Sequence, residues 1–256
     1  MQKISVVLAV FNEEENLKNC LGSVKDLAWE IVIVDGGSTD KTADIAKEFS
    51  ARIIQTNNPP NFHINKNIAI DESRGDWVLQ LDADEQVTSK LSQEIRRVIN
   101  SQSGNNGYWI PRKNFFLGRF LTKGGQYPDY TLRLYRRGKG RLPMKDVHEQ
   151  AEVEGKVGYL ENDLLHFRDK NFSIYLDRFN RYTDLLASQL KEAGVRNGIF
   201  SFIDFFLIKP LFWFAKAYLR HKGYVDGFPG FVFALFSSLR FSVAYIKLII
   251  RYENRD

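Results

Sequence analysis

Two carboxylates two residues apart, Asp82 and Asp84, close the apolar run Trp77-Val78-Leu79-Gln80-Leu81. Side chains so spaced diverge on an extended strand, but a strand that ends in a turn can bring them together. Aspartate is short and hard, suited to Mg2+ or Mn2+, and such ions commonly complete their shell with substrate phosphates. The same acids would serve equally as the acidic start of the next helix. A further carboxylate, Asp35, directly follows residues 31–34 and opens Gly36-Gly37-Ser38-Thr39-Asp40. The glycines permit close backbone approach, and a helix N-terminus there favours anionic groups. Asp35 is placed to accept hydrogen bonds from a nucleobase or ribose, and a helix cap by Ser38 or Asp40 is compatible with that role. No Gly-Lys-Ser/Thr follows, which excludes a Walker A loop, and the absence of Gly-x-Gly-x-x-Gly argues against a dinucleotide site.

The elements that must position these residues follow from hydrophobic periodicity. Residues 4–10 form a β-rich apolar run of the kind buried on both faces of a sheet. Asn12 is placed to cap the next helix, with Glu13, Glu14 and Glu15 at its positive end and Leu17, Leu21 and Val24 along one face. Strands at 31–34, 52–54 and 77–81 alternate with helices at 40–49, 64–70 and 91–99, which predicts a mainly parallel sheet covered on both faces. Ligands of such sheets gather at the carboxyl ends of the strands. Past residue 107 the elements shorten, with strands at 108–110 and 131–135. Residues 172–190 carry an apolar stripe at helical spacing, expected to serve core or interface packing.

Three segments together carry a family resemblance. Val7-Leu8-Ala9-Val10-Phe11-Asn12-Glu13-Glu14, Ile33-Val34-Asp35-Gly36-Gly37-Ser38-Thr39-Asp40-Lys41-Thr42 and Gly75-Asp76-Trp77-Val78-Leu79-Gln80-Leu81-Asp82-Ala83-Asp84-Glu85 resemble the large inverting glycosyltransferase family 2 with the GT-A fold. That family includes cellulose synthases, and the likeness is greatest to lipopolysaccharide-core β-glucosyltransferases. It covers roughly residues 1–170, and one departure stands out: Gly36 occupies the place of a second acid found in many relatives. The resemblance implies an α/β fold of GT-A type with a mainly parallel central sheet, followed by C-terminal amphipathic and hydrophobic helices. It implies a nucleotide-sugar donor, most often a UDP-sugar, bound around Ala9, Phe11, Glu13, Asp35 and Asp82. Lys66 and Asn67 lie where relatives place a basic residue near the diphosphate, although a solvated helix face explains Lys66 as well. Asp84 is expected as the direct Mg2+ or Mn2+ ligand, with Asp82 on the ribose or metal, and His166 as a further metal ligand. A cation there would neutralise charge developing on the departing diphosphate. Inversion needs a base opposite the leaving group. The candidates are Asp146 and Glu149 in Lys145-Asp146-Val147-His148-Glu149, with Glu149 expected to act and His148 to orient or tune it. Asp129 and Arg133 are expected on the acceptor side, unless Arg133 and Arg136 form only the outer face of a strand.

Composition divides the 256-residue chain. Residues 1–195 balance 27 basic against 27 acidic side chains, whereas residues 196–256 hold nine basic and four acidic ones, so the +5 net charge lies in the tail. Residues 199–250 also carry 15 of the 35 aromatics. These lie inside apolar runs rather than alternating with lysine and arginine, which favours a membrane surface over nucleic acid. Charges interrupt the stretches 199–219 and 228–250, so a monotopic helical hairpin is expected before a dimerisation hairpin or a spanning pair. The lone Cys20 excludes an intramolecular disulfide. The opening residues carry no secretory pattern, so export is not expected. The expected organisation is a catalytic domain over 1–170 (donor half 1–100, acceptor half 101–170), a connecting amphipathic helix over 171–195 and a membrane-associating tail over 196–256. The expected activity is metal-dependent inverting transfer of a sugar, with glucose foremost, from UDP to a lipid-linked glycan such as lipopolysaccharide core. Its expected place is the cytoplasmic face of the inner or plasma membrane. Transfer to a polyprenyl phosphate and a nucleotide-sugar-binding scaffold without turnover are the alternatives.

Overall fold

A computed structural model describes residues 1–101, 103–144 and 150–253. By internal contacts the chain forms two compact units, one of Met1–Arg112 with Asp129–His166, the other of Lys113–Pro128 with the chain from Phe167 onward.

The first unit opens with β1 (Ile4–Val10), α1 (Leu17–Val24), β2 (Glu30–Asp35), α2 (Thr42–Glu48), β3 (Arg52–Gln55), α3 (His63–Asp71) and β4 (Trp77–Gln80). It continues through β5 (Glu85–Val87) and α4 (Ser89–Ile99) to β6 (Gly107–Phe116), which leads into the second unit and its short β7 (Arg119–Phe120). The chain returns through β8 (Asp129–Arg136), β9 (Gly140–Arg141), β10 (Glu152–Val153), β11 (Val157–Tyr159) and β12 (Leu164–Asp169). The main sheet has the order β3-β2-β1-β4-β8-β6-β12-β5. Its first four strands are parallel, because each is joined to the next by a crossover helix. Beyond β4 the pairing turns antiparallel at β8 and β6, so the sheet as a whole is mixed.

Alternation along the central strands splits the core into two layers. Val6, Leu8, Ile33 and Leu79 face Leu17, Leu21, Leu91 and Ile95 of α1 and α4, whereas Val7, Val32 and Val78 face Ala69 and Ile70 of α3. Each fully buried aliphatic side chain contributes about 1.5–3 kcal/mol. β1 and β4 approach closely only because residue 75 is glycine: a Cβ there would lie 2.7 Å from Ser5 Oγ and 2.8 Å from its backbone nitrogen. One local expectation is corrected. Asn12 does not cap α1, which begins at Leu17 after Asn16. Asn12 instead sits at φ +54°, and its Oδ1 accepts from Thr39 N at 2.9 Å.

The second unit is helical and aromatic. After α5 (Phe172–Glu192), capped by Asn171 Oδ1 on Ile174 N, residues 199–220 run as one helical segment with wider π turns at Asp204–Ile208 and Ala215–Arg220. The helix Gly227–Leu248 follows. Among the described residues, Gly223–Arg251 is the one helix long and apolar enough to cross a membrane. It packs on α5 and on the 199–220 segment, where the Tyr245 ring stacks on Phe205 at 5.1 Å. Three of the charges that interrupt the apolar stretches are matched, Asp204 with Lys209 and Lys247 with Asp184 at 2.8 Å, whereas Lys216 and Arg240 lie against the Trp213 ring.

Asp226, fully buried ahead of the long helix, ties the excursion 113–128 into this unit. Its carboxylate accepts from Thr122 N, Thr122 Oγ1 and Lys123 N at 2.8–2.9 Å, while Arg119 donates to its carbonyl at 3.0 Å. Asp226→Ala would strand two backbone N–H groups and a hydroxyl. We expect a loss of about 2–4 kcal/mol, measurable by denaturant unfolding, with Asp226→Asn recovering part of it.

Candidate active site

The parallel strands deliver their carboxyl ends to one edge. Register pairs Val10 of β1 with Asp35 of β2, and Val7 of β1 with Gln80 of β4, two residues before Asp82. At this edge the loops after β1 and β2 are stitched to each other. Asn12 N donates to Ser38 Oγ (2.9 Å), Glu13 N to Thr42 Oγ1 (2.7 Å), Glu14 N to Asp40 Oδ2 (3.1 Å) and Lys41 N to Glu14 Oε2 (3.1 Å).

The residues expected around the donor take several positions. Ala9 is half-buried in β1, and Phe11 just beyond is exposed. The Glu13 carboxylate accepts from Asn16 Nδ2 at 2.8 Å. Asp35, only 1% exposed, turns its carboxylate into the protein, accepting from Ser38 N (2.9 Å), Ser38 Oγ (2.6 Å) and Gln55 Nε2 (3.1 Å). The acid read as a base or ribose acceptor is here the organiser of the 36–40 turn. Gly36 lies against Asn58, where a Cβ would sit 3.2 Å from the Asn58 Cβ, so the turn is packed around the missing second acid. Asn67 is buried in α3 and bonds Leu142 through both amide groups, Nδ2 to its carbonyl (2.9 Å) and Oδ1 from its N–H (3.1 Å). The family resemblance implies a place for it near the diphosphate; in the structure its amide holds residue 142.

The densest electrostatics surround Asp82. Lys66 is not on a solvated helix face: it is buried, and its ammonium meets Asp82 Oδ1. Arg133, read as acceptor-side or strand surface, is also buried, because β8 is covered on both faces, and its guanidinium meets Asp82 Oδ2. Burial alone would raise the Asp82 pKa, but Arg133 and then Lys66 outweigh it and hold the carboxyl well below the usual range. Arg133 also donates to Glu85 Oε1 at 3.0 Å, and Arg112 reaches that oxygen at 3.3 Å while binding Asp129 at 2.7 Å. Glu85 Oε2 accepts from Asp82 N at 3.0 Å. Asp129 therefore sits in this network through Arg112. Cys20 Sγ–H donates to Asp82 O at 3.5 Å, and burial keeps that thiol protonated by raising its pKa.

Sequence reasoning missed Glu85 and Arg112. A usable signal for Glu85 was an acid sharing an alternating strand with Val87; none marked Arg112.

Asp84 and His166 meet through strand pairing. β12 runs antiparallel to β5 with His166 opposite Glu85, which brings His166 Nε2 to 3.3 Å from Asp84 Oδ2. The pair offers one carboxylate oxygen and one imidazole, a donor set suited to Mn2+. Among the described residues no group of three or more His, Cys, Asp or Glu side chains forms a metal cage. Asp82, expected as a second metal acid, is engaged by Lys66 and Arg133. The residues thus fit two protein ligands for a divalent ion, with the rest of its shell left to substrate oxygens and water.

Asp146, His148 and Glu149 lie outside the described residues, but the chain on either side is well placed. Asn67 and His63 of α3 hold Leu142 and Pro143, and His63 Nδ1 lies 2.7 Å from Pro143 O. On the far side Gln150 Oε1 accepts from Thr131 Oγ1 (3.0 Å) and Leu132 N (3.3 Å) of β8. Leu142 and Pro143 thus lie beside the helix that carries Lys66, and Gln150 beside the strand that carries Arg133.

Residues 5–148 match the family described as glycosyl transferase family 2. The chain is 29% identical over 259 residues to a lipopolysaccharide core biosynthesis glycosyltransferase, LpsC, from Rhizobium meliloti, covering 97% of this chain and 93% of that one. It is 27% identical to an uncharacterized glycosyltransferase from Rickettsia typhi, over 91% of this chain and 82% of that protein. Among solved structures it resembles the mannosyltransferase PcManGT from Pyrobaculum calidifontis, solved with GDP-Man and Mn2+, at a TM-score of 0.55 and 12% identity over 97% of this chain and 87% of that one. At that identity the likeness is one of fold.

Proposed function

The chain belongs to glycosyl transferase family 2 and is a GT-A-fold transferase, and from that premise we propose that it moves a hexose from a nucleotide sugar to a lipid-linked glycan in a metal-dependent, inverting reaction. The observation that carries this reading is the contact of Asp84 with His166 beside a carboxylate, Asp82, already clamped by two buried cations. Asp84 and His166 would hold a divalent ion; when bound, it supplies neutralisation of charge on the departing diphosphate. The relative solved with GDP-Man and Mn2+ supports a nucleotide-sugar donor and such an ion. Lys66 and Arg133 hold Asp82 ionised. Glu149 takes the proton of the acceptor hydroxyl, and His148 orients it. The two anchored flanks of residues 145–149 support that role. Asp129 and Arg112 border the same network on the acceptor side.

Lipopolysaccharide core is the acceptor class suggested by the name of the Rhizobium meliloti relative. As donor we propose a UDP-sugar, glucose foremost. The tail supports placement on a membrane surface: Phe200, Leu211 and Leu219 are 86%, 68% and 61% exposed along one helical segment. We place it at the cytoplasmic face.

The test is a screen of nucleotide sugars with Mn2+ or Mg2+, reading released nucleoside diphosphate against membrane glycolipid extracts. Absence of metal-stimulated release with every donor would refute the proposal. His166→Ala is expected to weaken metal activation about 10–100-fold and to lower turnover with it. Activation curves that superimpose on the wild type would remove His166 from the ligand set.

A further inference from the structure

Within the helical unit, the loop around Gly124–Gln126, the 199–220 segment and the helix Gly227–Leu248 enclose a cavity of about 310 Å³. Two cations share one indole there. Lys216 Nζ lies 4.3 Å from the Trp213 ring centroid, and the Arg240 guanidinium carbon lies 4.9 Å from it. Both residues are half-buried, and among the described residues neither has a carboxylate or hydrogen-bond partner. Elsewhere in this unit Arg119, Arg178, Lys209, Lys247 and Arg251 each have an aspartate, whereas Arg181, Arg196 and Arg220 are exposed to solvent. Gln126, His221 and Ser237 are its other polar lining residues, with the His221 ring packed where a Cβ on Gly125 would meet it at 3.8 Å.

Partial burial strips hydration from both cations. Ring faces compensate only in part. Burial accordingly pulls the Arg240 pKa below its ordinary value. The missing element is an anion, and its chemistry can be read from the lining. A guanidinium and an ammonium together match a doubly charged group with several acceptor oxygens better than one carboxylate, and the neutral hydroxyl and imidazole add donors. Small-molecule sites begin at about this volume.

We propose that this cavity is a phosphate site, in which Arg240 and Lys216 bind a phosphate monoester or diphosphate and His221 and Ser237 donate to its remaining oxygens. Two sources offer that group, a lipid headgroup and free phosphate. Leu211, Phe212 and Leu219, all exposed on the segment that carries Lys216, favour the lipid. The inference deepens the membrane placement proposed above, but it is tested without donor sugar or glycan, so either reading can fail alone.

The full-length protein is titrated with inorganic pyrophosphate, followed by Trp fluorescence and calorimetry. In parallel it is mixed with phosphatidylcholine vesicles, with or without phosphatidic acid. Lys216→Gln combined with Arg240→Gln is expected to weaken binding of the effective probe about tenfold or more. Trp213→Phe should remove the fluorescence response. Ser237→Asp, which supplies a carboxylate inside the cavity, should weaken binding as strongly without lowering the melting temperature, and it decides the matter if the double variant does not fold. Loss confined to phosphatidic acid vesicles assigns a lipid source; loss confined to pyrophosphate assigns free phosphate. Wild-type protein that binds neither probe, or folded variants that bind both as the wild type does, would overturn the proposal.

Discussion

Asp84→Asn is expected to lower transfer turnover about 10²–10³-fold, with shape and fold preserved. The substitution keeps the side chain's size and removes its charge in the turn just before β5, 3.3 Å from His166 Nε2. An amide oxygen is a far weaker ligand for a hard divalent ion than a carboxylate, so the metal concentration for half-activation should rise with the loss of turnover. The comparison variant is Asp82→Asn. It should also impair turnover, but through release of Lys66 and Arg133 from their carboxylate, with a smaller change in the metal curve. Steady-state rates across a Mn2+ titration separate the two. Asp84→Asn protein within about fivefold of wild-type turnover at saturating Mn2+ would take Asp84 out of the chemistry, since losing one such electrostatic group costs far more.

Glu85→Ala carries the largest expected stability loss, about 3–5 kcal/mol. Glu85 is fully buried, and one of its oxygens serves both Arg133 and Arg112 while the other accepts from Asp82 N. Removing it leaves two largely buried guanidinium groups short of a counter-charge and a backbone N–H without its acceptor. For a chain of this size the melting temperature should fall by roughly 2–4 °C per kcal/mol, hence about 6–20 °C. Glu85→Gln retains the hydrogen-bonding shape without the charge and should fall between wild type and alanine. Alanine protein that melts within about 2 °C of the wild type would show that the arginines find other partners, contrary to the known cost of orphaned buried charges.

The parallel half of the sheet was readable because its signals are local. β1 spans the predicted residues 4–10, and the helices at 40–49, 64–70 and 91–99 appear within a few residues of their predicted limits. Period-2 and period-3.6 burial report neighbours a few residues away. Local rules failed where a long-range bond won. Asn12 has the composition of a cap, yet its side chain bridges to Thr39 across the paired loops. Lys66 and Arg133 carried charges that a sequence reads as surface, and each became buried because Asp82 waited on another element.

The chemistry this chain can support was legible along the chain: an acid pair following an apolar strand, a glycine-rich turn after another, and an aromatic, basic tail. Those features depend on residue type and on spacing within one element. The tertiary structure alone decided which acid meets which base. His166 reaches Asp84 through the antiparallel register of β12 on β5, and Arg133 reaches Asp82 because β8 pairs beside β4. Both contacts join residues 51 to 82 positions apart in the chain. A salt bridge or metal ligand pair needs its atoms within about 4 Å, and no pattern along the chain encodes that distance until the strands have paired.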